Sequence, residues 1–299
     1  MTQRMINIGL GGENKRRDEL KEYSATLPEF PPVIARILAT LNDPEASHAL
    51  LVKHIKQHPA MAIRVILLAK VLATKTHGCR AVADIPFAVT LIGLSRTREI
   101  VILSSIADFI ADIVPPGIAA NFWQHSVAVG VSSEQLAQLA GPPALAPAAL
   151  IAGLLHDVGQ LWLYHSQEDA FIAAWRQDMN HSAGVEAAEL ERFGVDHATV
   201  GAWLAEHWLL PARISLAIRH HHTPDNALGE PLVPLIHVAE VVSNALGLTN
   251  NVDNRVTSIS SGACRMLGLH WGEPSHSLFV RIESRIRHAH TFLQQGENH

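Results

Sequence analysis

From Val33 onward the apolar residues of this chain return at spacings of three and four rather than two, a period that admits helices and almost no strand. Val33, Ile34, Ile37, Leu38 and Leu41 make one stripe, opened by prolines and closed by Asn42-Asp43-Pro44. Ser47 is placed to cap the following helix, and Pro59 opens AMAIRVILLAKVLA at a first-turn position. Further amphipathic segments run from Ile85 to Ile92 and from Ser95 to Ile113. Val114-Pro115-Pro116-Gly117 then breaks the pattern. Beyond it, helices are expected over Phe122 to Leu139, Pro147 to Tyr164, Glu168 to Met179, Gly184 to Phe193, His197 to His207, Pro211 to His221 and Val233 to Leu246, with two more near the end. The expectation is an all-α protein. It would comprise a flexible tail over 1–17, a smaller N-terminal helical subdomain over 18–114 and a larger multi-helix bundle over 118–299.

Hydrophobic residues at 48% and charged residues at 17% leave little room for disorder and enough apolar surface for a substantial core. The net charge of −5 argues against DNA or RNA as the main partner, because phosphate binding normally shows as a basic excess. Cys79 and Cys264 cannot build a disulfide framework, which makes the cytoplasm the expected compartment. The N-terminus has no long apolar segment, and no later run is read as reaching the ~18 apolar residues of a spanning helix, so no membrane association is expected.

Within this helical text, LLHDVGQL sets His156 and Asp157 side by side in an apolar run. A buried carboxylate is costly unless a cation or hydrogen bonds compensate it, and imidazole with carboxylate suits a divalent metal. Fifteen of the 19 histidines lie after the break, whereas the last lysine is Lys75. The further candidates are His125, His197, the run His220-His221-His222, His237 and Glu240, most with apolar neighbours. Each alone also reads as an ordinary core or surface histidine, and His237 and Glu240 could simply pair across one helical turn. Side chains from several helices converging in a bundle core would make a metal site.

The order and wording of these segments carry a resemblance. LPEFPPVIARILATLNDPEAS, IKQHPAMAIRVILLAKVLA, IPFAVTLIGLSRTREIVI, FWQHSVAVG, LIAGLLHDVGQL, FGVDHATVGAWLAEHWLLP and IRHHH together resemble the HDOD family, a signalling branch of the HD superfamily of metal-dependent phosphohydrolases. The likeness covers about Leu27 to Leu246. It implies an HD-type bundle, with His125, His156, Asp157 and Glu240 on the metal-quartet positions and Glu240 replacing the usual Asp. It further implies that His197, His221 and His222 fall where the related HD-GYP phosphodiesterases place ligands for additional metals. One or two divalent ions, Fe, Mn, Zn, Ni or Co, are the implied cofactor, with Asp157 serving the activation of water and Arg219 and Gln160 the binding of substrate.

Two departures from the family pattern weigh against turnover. Gln160 stands where HD enzymes commonly carry lysine, and TPDNALGEP after the histidine run lacks a glycine-tyrosine-proline element. The resemblance therefore implies a bacterial signalling module with weak or absent hydrolysis, whose partner is a signalling protein or a small nucleotide ligand. The alternative is a phosphohydrolase acting on a nucleotide or cyclic dinucleotide. Self-association is left open, and the upstream signal is expected from a separate chain or a ligand.

Overall fold

A computed structural model of the chain describes residues 29–41, 43–76, 84–113, 116–166, 185–248, 258–269 and 273–294, together with Asp18, Glu22 and Val82. Among the described residues the secondary structure is helical throughout, without strands. The expected tail and the helix expected over Glu168 to Met179 lie outside the described residues.

Among the described residues the N-terminal part contains α1 (Pro32–Ala39), α2 (Pro44–Gln57), α3 (Pro59–Thr76), α4 (Ile85–Ile92) and α5 (Leu94–Ile113). Proline stands in the first turn of α1, α2 and α4, where no intrahelical donor is lost. The cap of α2 is Asp43, whose carboxylate accepts the Ala46 N–H at 2.9 Å, and not Ser47. Ser47 lies one turn inside the helix, fully buried, where its hydroxyl accepts a bond from Arg98 of α5 at 3.2 Å. An acidic residue before a proline supplies both the capping oxygen and the fixed φ, so it outcompetes the later serine.

The second part contains α6 (Pro116–Leu139), α7 (Ala146–Leu155), α8 (Val158–Ser166), α9 (Val185–Phe193), α10 (His197–His207), α11 (Ala212–His220), α12 (Leu232–Ala245), α13 (Ser261–Met266) and α14 (Glu273–Gln294). Helix α6 starts at Pro116, six residues before the expected Phe122, because the proline that stops one helix serves as the first turn of the next. The single helix expected over Pro147 to Tyr164 is instead two, parted at His156 and Asp157.

The most extensive pairing is α6 with α7, and α12 closes over both. Every residue of α7 from Ala148 to Leu155 is buried, as is every residue of α12 from Leu232 to Ser243. Contrary to the expectation that no run reaches that length, the segment Pro143–Tyr164 is long and apolar enough to cross a membrane, but 83% of its apolar 18-residue window is buried inside the protein. It is the central element of the core.

Helix α5 packs on α6 and α7, and an aromatic cluster joins the same two parts of the chain. Trp208, the residue after α10, stacks on Phe30 at 4.7 Å and meets Phe109 of α5 edge-on at 5.3 Å. Arg285 of α14 adds a charged tie by pairing with Glu99 of α5 and, at 3.3 Å, with Glu134 of α6.

Candidate metal centre

Two close helix contacts prepare the site. Where α6 crosses α7, a Cβ on Gly153 would stand 2.7 Å from the Gly130 Cα, so only glycine permits the approach. That approach brings His125 of α6 to His156, with their Nε2 atoms 3.1 Å apart. Where α8 begins, a Cβ on Gly159 would overlap the His197 carbonyl, so the bare glycine seats α8 on the start of α10 and sets Asp157 beside His197.

Asp157 is the hub. Its Oδ2 lies 3.4 Å from the Nε2 of both His125 and His156, and its Oδ1 lies 3.3 Å from His197 Nε2 and 3.7 Å from His221 Nε2. His222 Nε2 stands 3.0 Å from His197 Nε2. Glu240 joins through its grouping with His156 and His221 and lies 3.9 Å from His222 Nδ1. Three sets of potential ligand atoms result, each within 4.8 Å: His125, His156 and Asp157; Asp157, His197, His221 and His222; and His156, His221 and Glu240.

The outward nitrogens fix which atoms face inward. His156 Nδ1 donates to the Gly153 carbonyl at 2.8 Å, and His221 Nδ1 donates to the Ile218 carbonyl at 2.6 Å. A carbonyl only accepts, so in the neutral ring each Nε2 turns a lone pair toward Asp157. His197 Nδ1 donates to Glu189 at 2.6 Å, and the same carboxylate accepts the His197 backbone N–H at 2.8 Å. The buried His221 Nε2 and Asp157 Oδ1 are left without hydrogen-bond partners.

The charges divide the ring of imidazoles. Burial, with the neighbouring histidines, pushes His221 well below the usual imidazole range and lowers His156, so both stay neutral. Burial opposes charge on His197, but Glu189 and Asp157 outweigh it and hold that imidazole well above its ordinary value. His222 is raised against burial by Glu240 and Glu186, and His125 is raised against burial by Asp157. Asp157 is itself held far down despite burial by His156, His125 and His197. His197 and His222 each turn Nδ1 to a carboxylate, so their Nε2 atoms, 3.0 Å apart, meet as two lone pairs that call for a positive charge between them. Either an added proton or a divalent cation supplies it, and the donor set of imidazole and carboxylate fits such a cation.

Seven sequence candidates thus meet in one cluster: His125, His156, Asp157, His197, His221, His222 and Glu240. Arg219 does not join them. Its guanidinium lies 3.7 Å from Glu206 at the partly exposed end of α11. Gln160 sits in the first turn of α8, where its backbone N–H closes onto the Asp157 carbonyl at 2.8 Å. His237 and Glu240 do not pair as one helical turn would suggest. His237 Nδ1 donates to the His221 carbonyl at 2.8 Å, and its Nε2 accepts the Ser260 N–H at 3.0 Å.

Sequence reasoning missed Glu189 and Glu186. The latter pairs with His222 Nδ1 at 2.8 Å, and the imidazole draws its carboxyl down to about 2 against the opposing effect of burial. A signal for Glu189 was present, since it sits midway between Val185 and Phe193 at a helical spacing of four, an acid on a stripe that otherwise faces the core. Ser260 and Asp225 were also missed. The Ser260 hydroxyl donates to Asp225 at 3.0 Å while its backbone holds His237, so residues far along the chain strap the histidine run in place.

An HDOD domain family model matches residues 27–224. Among solved structures, the fold is similar to an HDOD domain protein of unknown function from Geobacter sulfurreducens, at 22% identity and a TM-score of 0.70, covering 93% of this chain and 99% of that one. It is also similar to a provisionally named signal-transduction protein from Marinobacter aquaeolei, at 18% identity and a TM-score of 0.66, covering 98% and 68%. A third similar structure is a provisionally named phosphohydrolase from Shewanella amazonensis, at 21% identity and a TM-score of 0.63, covering 93% and 97%. The chain spans 42% of the length of the curated relative it matches, an uncharacterised Treponema pallidum protein, and is 24% identical to it over 225 residues.

Proposed function

The chain belongs to the HDOD domain family, and from that premise we propose that it is a regulatory signal-transduction module whose histidine and aspartate cluster holds one or two divalent metal ions with weak or absent hydrolysis. The carrying observation is the convergence of buried, outward-anchored imidazoles on Asp157, with His221 Nε2 and Asp157 Oδ1 unsatisfied. The two oxygens of Asp157 face different imidazole sets, so this residue would offer a carboxylate ligand to either set. A bound divalent ion supplies Lewis acidity at this position. His125, His156, Asp157 and Glu240 would hold one ion and His197, His221 and His222 would complete the second set, while Glu189, Glu186 and His237 keep these rings oriented. The N-terminal helices through residue 114 and the bundle from residue 118 are read as the two parts of one cytoplasmic module.

Weak turnover is favoured by the cations that are missing. No lysine follows Lys75, Gln160 is a neutral amide, and Arg219 is engaged with Glu206. A phosphohydrolase acting on a nucleotide or cyclic dinucleotide is the second reading, favoured by the completeness of the ligand set. Metal analysis of protein purified without chelator, followed by incubation with cyclic dinucleotides and a generic phosphodiester plus Mn²⁺, tests both. Bound metal without turnover is expected. Hydrolysis abolished by Asp157→Ala would establish the enzyme instead, and the absence of metal at any stoichiometry would remove both readings.

A further inference from the structure

A cavity of about 350 Å³ opens in the N-terminal part between α1, α2, the start of α3 and α5, well separated in sequence from the histidine cluster. Its lining carries charge of both signs from different helices. Arg36 of α1 and Lys53 of α2 bring positive charge to it, while Glu29 and the pair Asp108 and Asp112, one turn apart on α5, bring negative charge. Val33, Met61 and Phe109 supply an apolar floor. Among the described residues Arg36, Lys53, Asp108 and Asp112 form no ion pair; burial pushes the Asp108 carboxyl up, and Arg64 and His58 oppose that shift.

The wall also bears two buried polar atoms without hydrogen-bond partners, His54 Nε2 and Ser105 Oγ. Ser105 is only 7% exposed, and a helical serine in such a place ordinarily bonds back to the carbonyl four residues earlier. His54 is fixed by His58, whose Nδ1 donates to the His54 carbonyl at 2.8 Å and whose ring lies 4.1 Å away. Burial, with His58 and Arg36 nearby, draws His54 down to about 4, so it faces the cavity as a neutral imidazole. Buried polar groups of this kind are normally satisfied, and here both belong to side chains of the cavity wall.

We infer that this cavity binds a small zwitterion of amino-acid size. Its carboxylate lies against Arg36 and Lys53, its ammonium against Asp108 and Asp112, and its apolar portion over Val33, Met61 and Phe109. A simple anion would meet the two aspartates, and a simple cation would meet Arg36 and Lys53, so a molecule with one charge satisfies only half of the lining. Phe109 is both cavity wall and edge-on partner of Trp208, which follows directly on the helix that begins with His197. An occupant would therefore press on the element that joins the two parts of the chain.

Calorimetric titration of the full chain with each of the twenty proteinogenic L-amino acids, and with propionate and propylamine as singly charged controls, tests this. At least one amino acid should bind saturably while neither control does. Arg36→Gln and Asp108→Asn, both at the exposed rim, should keep the parent melting temperature and each weaken that binding at least ~10-fold, the effect of losing one charge-assisted contact. His156→Ala should leave it unchanged. The inference is overturned if no amino acid binds at millimolar concentration, if propionate or propylamine binds as tightly, or if both rim variants retain the parent affinity.

Discussion

Replacing Glu189 by alanine probes the part of the metal centre that the sequence concealed. The carboxylate is fully buried and accepts two bonds from His197, one from the backbone N–H at 2.8 Å and one from Nδ1 at 2.6 Å. Its removal leaves two buried donors without an acceptor, at about 1–3 kcal/mol each, so the loss of stability should be about 4 kcal/mol. At ~2–4 °C per kcal/mol for a chain of this size, the melting temperature should fall by about 10 °C. Glu189→Gln keeps the volume and one acceptor oxygen, and should cost roughly half as much. Because Glu189 also orients the His197 ring, metal affinity should drop by about 10–100-fold in the alanine variant. Urea unfolding followed by circular dichroism gives the first quantity, and titration with Mn²⁺ or Zn²⁺ gives the second. The reasoning is refuted if Glu189→Ala unfolds within about 0.5 kcal/mol of the parent, the level of an exposed substitution, or binds metal as tightly.

Three further outcomes are expected. Gly153→Ala forces a methyl into the Gly130 backbone and should destabilise by about 1–3 kcal/mol while parting His125 from His156, which unfolding and metal titration would show together. Ser260→Ala removes both the cap of α13, where the hydroxyl accepts the Ala263 N–H at 3.0 Å, and the bond to Asp225. Its cost should be about 1 kcal/mol, with weaker metal binding through the loosened His237 strap and unchanged stoichiometry. Glu134→Gln tests the buried charge cluster. Burial, then the neighbouring Glu99, raises Glu134 from 4.5 to about 7 despite Arg285, so the folded protein holds this proton more tightly than the unfolded chain. The stability it contributes is therefore present below pH 4.5 and is lost as pH rises to about 7. Unfolding measured across that window should show the parent losing stability relative to the variant, and parallel curves would contradict the assignment.

Much of the fold was open to reading because helical period and punctuation are local properties. Val33 to Leu41, Pro59 as a first-turn residue and the all-helical class follow from spacings within a few residues. The errors were local contests judged without their neighbours. Ser47 looked like a cap until Asp43 was seen to hold that place and Arg98 to take the hydroxyl. The break at His156 and Asp157 carries no proline or glycine to announce it, and the close seat of Gly159 on α10 just beyond it appears only in the structure.

The site divides in the same way. The residue types, their order and the resemblance brought forward the seven side chains that meet around Asp157, since imidazoles and acids on apolar helix faces are visible in one dimension. Arg219 was named as a cation for substrate, and in the structure its guanidinium lies 3.7 Å from Glu206. Glu186, Glu189, Ser260 and Asp225 act through atoms that touch the ligand rings from outside, and no spacing announces such contacts. The sequence by itself therefore determined which helices form and which side chains have ligand chemistry, because propensity, period and protonation are carried by each residue and its near neighbours. Only the tertiary structure decided that five separate segments place those atoms within ligand distance of one another, and which outer partner locks each imidazole. Those outcomes depend on Gly130 meeting Gly153 and Gly159 meeting His197, approaches between residues that the chain keeps 23 and 38 positions apart.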